Sequence, residues 1–251
     1  MSWAKAQDSR VLAAVLACLT ALAWLWLWRT RDSLWGHALL HPAHAMHMNI
    51  SPFTFGLMFI AGWTVMTIAM MLPTSSPLVM LFYRIVAGAS HPHGLVGLLV
   101  LGYLTVWAGF GAVACVLNRA AAAIPSLAQH AWVTGALVLL IAGLYQFSPL
   151  KYACLDKCRS PLLFVVERWS SSKRRRSDAF RLGAAHGVYC VGCCWSLMLV
   201  MFAVSSGSLA WMLVLGIVMA VEKNVPWGRR LSAPVGAVLL AASVTMAVAN
   251  F

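Results

Sequence analysis

The segment His186-Gly187-Val188-Tyr189-Cys190-Val191-Gly192-Cys193-Cys194-Trp195 gathers one imidazole and three thiols within nine positions. On a helix that turns 100° per residue, His186, Cys190 and Cys193 fall at about 0°, 40° and −20°, with Cys194 near 80°. One face would therefore carry all four groups, and Met201, near 60°, would extend the stripe by another thioether. Thiolate, thioether and imidazole are soft or borderline donors that suit copper(I), zinc or iron–sulfur centres, whereas magnesium and calcium need oxygen. Only six acidic residues occur in the whole chain, too few for a hard-cation cage. The competing reading is plain packing, because Gly and Cys are small and let membrane helices approach closely.

Three further elements carry similar chemistry. Cys154 and Cys158 in Lys151-Tyr152-Ala153-Cys154-Leu155-Asp156-Lys157-Cys158-Arg159 are i, i+4 neighbours if that stretch is helical. The basic residues around them favour the thiolate, the metal-binding form. The spacing is not the C-x-x-C of a redox pair, and two thiols alone cannot close a tetrahedral site. Met66 and Met70 share a face just before Pro73, either as soft, weak ligands or as core packing. Glu222 closes an apolar stretch, where a carboxylate is a functional candidate or the partner of neighbouring Lys223.

Half of the eight histidines, His37, His41, His44 and His47, fall in one short tract together with Met46 and Met48. Histidine-rich tracts read as metal binding, and His/Met mixtures accept copper in either oxidation state. Pro42 interrupts any regular presentation of these groups.

The elements that must position these groups are membrane helices. Of 251 residues, 62% are apolar and 10% charged, against about 25% charged in a soluble domain. A span needs roughly 20 mostly apolar residues, and such stretches recur at 11–28, 54–72, 95–117, 131–149, 182–204, 208–221 and 232–250. The expected fold is therefore an all-α polytopic bundle of about seven spans, a single membrane domain over 1–251. Fifteen of the eighteen Lys and Arg fall on one side of that arrangement, leaving only Arg29, Arg31 and Arg119 on the other. By the positive-inside rule the N-terminus is inside and the C-terminus outside. The His/Met loop 29–53 is then exterior, and the basic loop 150–181 cytoplasmic. The first span is followed by Arg29-Thr30-Arg31 and no A-x-A site, which reads as an uncleaved anchor. The stretch 78–89 after Pro73 is too short to span and is expected at the interface. The net charge of +12 points to anionic lipid headgroups, and no nucleic-acid-binding module is present.

Read together, Trp63, Met66, Ala69-Met70-Met71 and Pro73, then Gly143-Leu144-Tyr145-Gln146, Pro149-Leu150-Lys151 and the Cys154/Cys158 segment through Pro161, then His186-Gly187 to Met198, and Glu222-Lys223 make a pattern. It resembles the bacterial family of unknown function described as predicted metal-binding integral membrane proteins, over roughly Trp63 to Leu240. The resemblance implies weight on Met66, Met70, Met71, Cys154, Cys158, His186, Cys190, Cys193, Cys194 and Glu222. It departs at Ser205-Ser206-Gly207-Ser208-Leu209, where a Gly-x-Met-Asn-Leu-like turn is expected.

The expected function is binding of a soft transition metal, copper(I) first and zinc second, by a bacterial inner-membrane protein engaged in metal transport or handling. Its partners would be the metal and either a metal chaperone or a membrane complex. A structural or accessory subunit is the alternative, as is a membrane thiol oxidoreductase. No constellation of a hydrolase is present.

Overall fold

The computed structural model describes residues 3–40, 51–125, 127, 130–169, 174–203 and 208–250, and every regular element among them is helical. In chain order these are α1 (Trp3–Thr30), α2 (Leu34–Leu40), α3 (Pro52–Met70), α4 (Ser76–Val86), α5 (Pro92–Ala123), α6 (Ala131–Tyr145), α7 (Pro149–Arg159), α8 (Pro161–Arg168), α9 (Arg175–Ala203), α10 (Leu209–Asn224) and α11 (Ser232–Val248). Short 3-10 turns at Pro73–Ser75 and Gly228–Leu231 lead into α4 and α11.

Serine followed by proline starts several of these helices. Ser51 accepts a hydrogen bond from the Thr54 amide ahead of Pro52, and Ser148 accepts one from the Leu150 amide ahead of Pro149. The serine satisfies an otherwise orphaned donor, and proline at the first helical position gives up an amide that had no partner. At Ser160-Pro161 the proline alone starts α8, the Ser160 side chain making no capping bond. The stretch read as a basic loop, 150–181, is thus largely α7, α8 and the first turns of α9. Lys157 donates to the Glu167 carboxylate across the α7–α8 corner, holding that carboxyl below its usual range.

Among the described residues, five helices are long and apolar enough to cross a membrane: Asp8–Thr30, Pro52–Met70, Pro92–Ala123, Arg175–Met201 and Gly228–Val248. Trp132–Tyr145 and Pro149–Arg159, bent by 66° at their junction, would together make a sixth. The expected span at 208–221 forms the 16-residue α10, about 24 Å long at 1.5 Å per residue and so short of a hydrocarbon core of about 30 Å. Length and composition therefore carry five or six of the seven expected crossings. The 78–89 stretch becomes the 11-residue amphipathic α4, whose Leu78, Val79, Phe82, Tyr83 and Val86 are buried.

The central contact is between α5 and α9, where backbone meets backbone. A Cβ at Gly183 would lie 1.8 Å from the Leu99 carbonyl oxygen, and one at Gly102 would lie 2.1 Å from that of Phe180. Only glycine permits this approach, the device expected where small residues line membrane helix contacts. One apolar core surrounds the thiols of α9 with Trp63, Met66, Tyr103, Trp107, Met198 and Met219, and a second lies beneath α4 and α8.

Candidate metal centre

The ligand atoms of Cys190, Cys193 and Cys194 lie within 4.8 Å of one another, and all three residues are at most 1% exposed. The helical spacing foresees this, since 3.6 residues per turn returns i+3 and i+4 to the face of i. Two neighbouring helices complete the surroundings. From the end of α3, Met71 brings its Sδ to 3.7 Å from Cys194 Sγ. From α7, Cys158 brings its Sγ to 3.9 Å from Cys193 Sγ. The sulfurs thus form a continuous series from Met71 through the three thiols to Cys158.

A cation closes the arrangement. Lys223, at the end of α10, places Nζ 2.9 Å from Cys190 Sγ, 3.3 Å from Thr74 Oγ1 and 3.6 Å from Met71 Sδ. Tyr103 of α5 has its hydroxyl 3.1 Å from the same Cys190 sulfur. An anionic sulfur in an apolar interior needs a paired charge and hydrogen bonds to be tolerable. Cys190 has both.

The other expected residues separate into those that join this group and those that do not. His186 stands one turn before Cys190, but its Nε2 is 3.2 Å from Ser75 Oγ and its ring stacks on Tyr103, so it lies beside the three-thiol group without joining it. Its Nδ1 is buried without a hydrogen-bond partner. Cys154 packs against Gly192, where an added Cβ would lie 2.6 Å from its Sγ. Met66 is buried in the same core, and Met70 lies against Gly216 of α10. His37 sits in α2, whereas His41, His44, Met46, His47 and Met48 lie outside the described residues. So do residues 204–207, which hold most of the Ser205–Leu209 departure from the resembled pattern.

Glu222 is not the partner of Lys223. Successive helical residues point about 100° apart, and the two side chains go to different places. Both Glu222 oxygens lie 2.9 Å from Lys151 Nζ, and Oε1 also accepts from Ser232 Oγ at 2.7 Å. Gln146 completes this buried polar group through Lys151 and Ser196. The carboxylate is therefore held by Lys151 and Ser232 and is not part of the three-thiol group.

Sequence reasoning passed over Lys223 and Tyr103 as parts of the site. Each reaches Cys190 across the bundle, 33 and 87 residues away, and no local spacing encodes such pairings. A lysine directly after the buried glutamate was the available signal, since an ammonium at that depth needs an anion.

Chemically, three thiols with an adjoining thioether in a buried, apolar setting suit a soft monovalent ion that accepts low coordination numbers. A cavity of about 150 Å3 is lined by Cys158, His186 and Lys223.

A family model described as PpoB2, copper chaperone, matches residues 60–246. That stretch includes every residue of the sulfur series and both buried lysines. No curated protein and no solved structure matches the chain.

Proposed function

The chain belongs to the copper chaperone family PpoB2, and from that premise we propose that it is an integral membrane protein that receives copper(I) on Cys190, Cys193 and Cys194 and hands it on by thiol exchange. The observation that carries this reading is the meeting of three buried thiols within 4.8 Å beside the Met71 thioether. Copper is cargo here rather than a resident cofactor. Zinc is the second choice from the donor types.

In this reading copper is held by two or three of the α9 thiolates, with Met71 as a weak additional donor on the Cys194 side. Lys223 balances the negative charge of the copper–thiolate group, which a low-dielectric interior otherwise penalises heavily. Exchange then runs sulfur to sulfur. Cys158, 3.9 Å from Cys193, lies at the accessible end of the series, and Cys154, one turn back on α7, would supply a second thiol there. Each step breaks one copper–sulfur bond as another forms, and copper stays in the +1 state throughout. Met66, Met70 and His186 are assigned supporting places around this route. Glu222 is assigned the pairing of Lys151 in place of a ligand role.

The membrane setting is supported by the five or six helices of suitable length and composition. With Lys and Arg concentrated on one side, the N-terminus would be inside, the thiol series would face the cytoplasm of a bacterial inner membrane, and anionic lipids would bind the basic flank. The His37–Met48 tract would collect metal on the outer face.

Anaerobic elemental analysis of the reduced, purified protein tests the centre. About one copper per chain, absent from the Cys190→Ser/Cys193→Ser variant, is expected. Equal copper in both proteins would overturn the assignment. A thiol oxidoreductase is the second reading, favoured by the Cys193–Cys158 approach. A Cys193–Cys158 disulfide that forms and is reduced in step with a redox partner would support it.

A further inference from the structure

Copper(I) does not travel free in a thiol-rich cell; it arrives bound to a donor ligand, and the structure holds a place for that ligand. The 150 Å3 cavity beside the thiol series is bounded by the turn before α4, the end of α7, α9 and the end of α10. Its wall includes Cys158, Arg159, Ser75, His186, Lys223 and Asn224, and no carboxylate among the described residues. At about 150 Å3 it admits a small thiol or a cysteine side chain.

Three features give the cavity a preference. The first is charge: two cations stand on its wall. Arg159 is fixed there by donating to the backbone carbonyls of Glu222 and Pro226, so its charge faces no carboxylate in the wall. Lys223 is fixed by Cys190 and Thr74. The second is an unmet hydrogen-bonding group, since His186 is 4% exposed with Nδ1 unpartnered. The third is the sulfur on the wall, because Cys158 is the one thiol shared by the cavity and the series leading to Cys193.

We propose that this cavity docks the copper donor's own ligand, an anionic thiolate, and that copper(I) passes there from the donor sulfur to Cys158. The inference rests on the copper reading above and adds the partner's chemistry to it: Cys158 is the port by which copper enters the thiol series, and the outer His/Met tract is a separate capture site. The exchange balances without an oxidant: the donor's copper–sulfur bond breaks, the copper–Cys158 bond forms, and the Cys158 thiol proton leaves on the donor's sulfur. The thiolate has two sources, a free small acidic thiol or a cysteine with acidic neighbours on a carrier protein.

The test uses the full-length reduced protein in detergent without oxygen, with the growth of copper–thiolate absorbance followed after mixing. Copper(I) is presented as its complex with mercaptoacetate, with cysteamine, or with a capped Asp-Cys-Asp peptide. Loading from the better of the two acidic donors should be roughly tenfold faster than from cationic cysteamine, the lower end of the range for electrostatic steering. Whichever acidic donor is faster identifies the source. Asn224 is exposed at the mouth; Asn224→Asp should shrink the acidic-over-cationic ratio and Asn224→Lys should widen it. Equal rates from acidic and cationic donors, unchanged by either substitution, would overturn the docking site while full copper at the end point left the thiol centre standing. No copper at the end point from any donor would overturn both.

Discussion

At the scale of single residues, the decisive feature is a cation placed against the sulfur that is to hold a cation. Lys223 lies 2.9 Å from Cys190 Sγ, and a hydrogen bond to a charged group contributes about 1.5–3 kcal/mol. In Lys223→Met the copper–thiolate group loses its balancing charge. The expected result is copper affinity weaker by roughly ten- to hundredfold, read by competition with a chromophoric copper(I) chelator; unchanged affinity would remove Lys223 from the site. Met71→Leu separates ligand from filler. The side chains are close in volume, so the fold should lose less than about 1.5 kcal/mol. A thioether donor at 3.7 Å from Cys194 should show as weaker copper retention and the loss of the longer sulfur distance from the X-ray absorption spectrum of the loaded protein. Retention and spectrum equal to wild type would make Met71 core packing only.

At the scale of elements, the site depends on how closely α9 lies against α5 and how α10 is tied to α7. Gly183→Ala drives a Cβ to 1.8 Å from backbone oxygen, which no rotamer change relieves; the helices must part, at a cost of about 1–3 kcal/mol. A lower melting temperature in detergent is expected, together with weaker copper binding, because Tyr103 and Cys190 sit across that contact. Gly97→Ala, with open space around it, is the control and should leave both readings near wild type. The α7–α10 tie is the Lys151–Glu222 pair, with side chains 0% and 2% exposed. Glu222→Gln strands a buried ammonium and should cost about 3–5 kcal/mol, whereas Lys151→Met/Glu222→Gln should recover much of that loss. Copper bound by the double variant at the wild-type level would confirm that Glu222 is structural, and loss of copper despite restored stability would return it to the ligand set. The elements were unequally legible. Cys190, Cys193 and Cys194 were readable because one helix carries all three, so its period alone settles their neighbourhood. The α7 and α8 helices were hidden by basic composition that reads as loop, although Ser148-Pro149 and Ser160-Pro161 were start signals in plain view. Met71, Cys158 and Lys223 converge through packing between distant helices, which no periodicity encodes.

At the scale of the whole molecule, the sulfur series runs from the buried end of the Cys190 cluster to a cavity among helix ends, so its use depends on which compartment those ends face. Thr74, Ser75, Arg159 and Asn224 line that cavity, and the sequence reading puts all of them on the side carrying most of the Lys and Arg. Apolar length made the helical class readable, and charge asymmetry suggested an orientation. Neither could say that α10 is too short for an ordinary crossing or that α6 and α7 meet at 66°, since both follow from how the bundle packs. The orientation itself is testable with two exposed positions at opposite ends of α5 and its approach. Ala122→Cys, near the end of α5, should react with a membrane-impermeant maleimide in intact cells, while Ser90→Cys, just before α5, should react only after the membrane is permeabilised. The wild-type protein, with Cys18 exposed, Cys154 and Cys158 half-buried and the other four cysteines buried, sets the background to be subtracted. That pattern puts the cavity on the cytoplasmic side, where thiols stay reduced and thiol-bound copper(I) can exchange. The reverse pattern would turn the cavity outward, where an oxidising environment would couple the Cys193–Cys158 pair to disulfide chemistry and shift the balance to the redox reading.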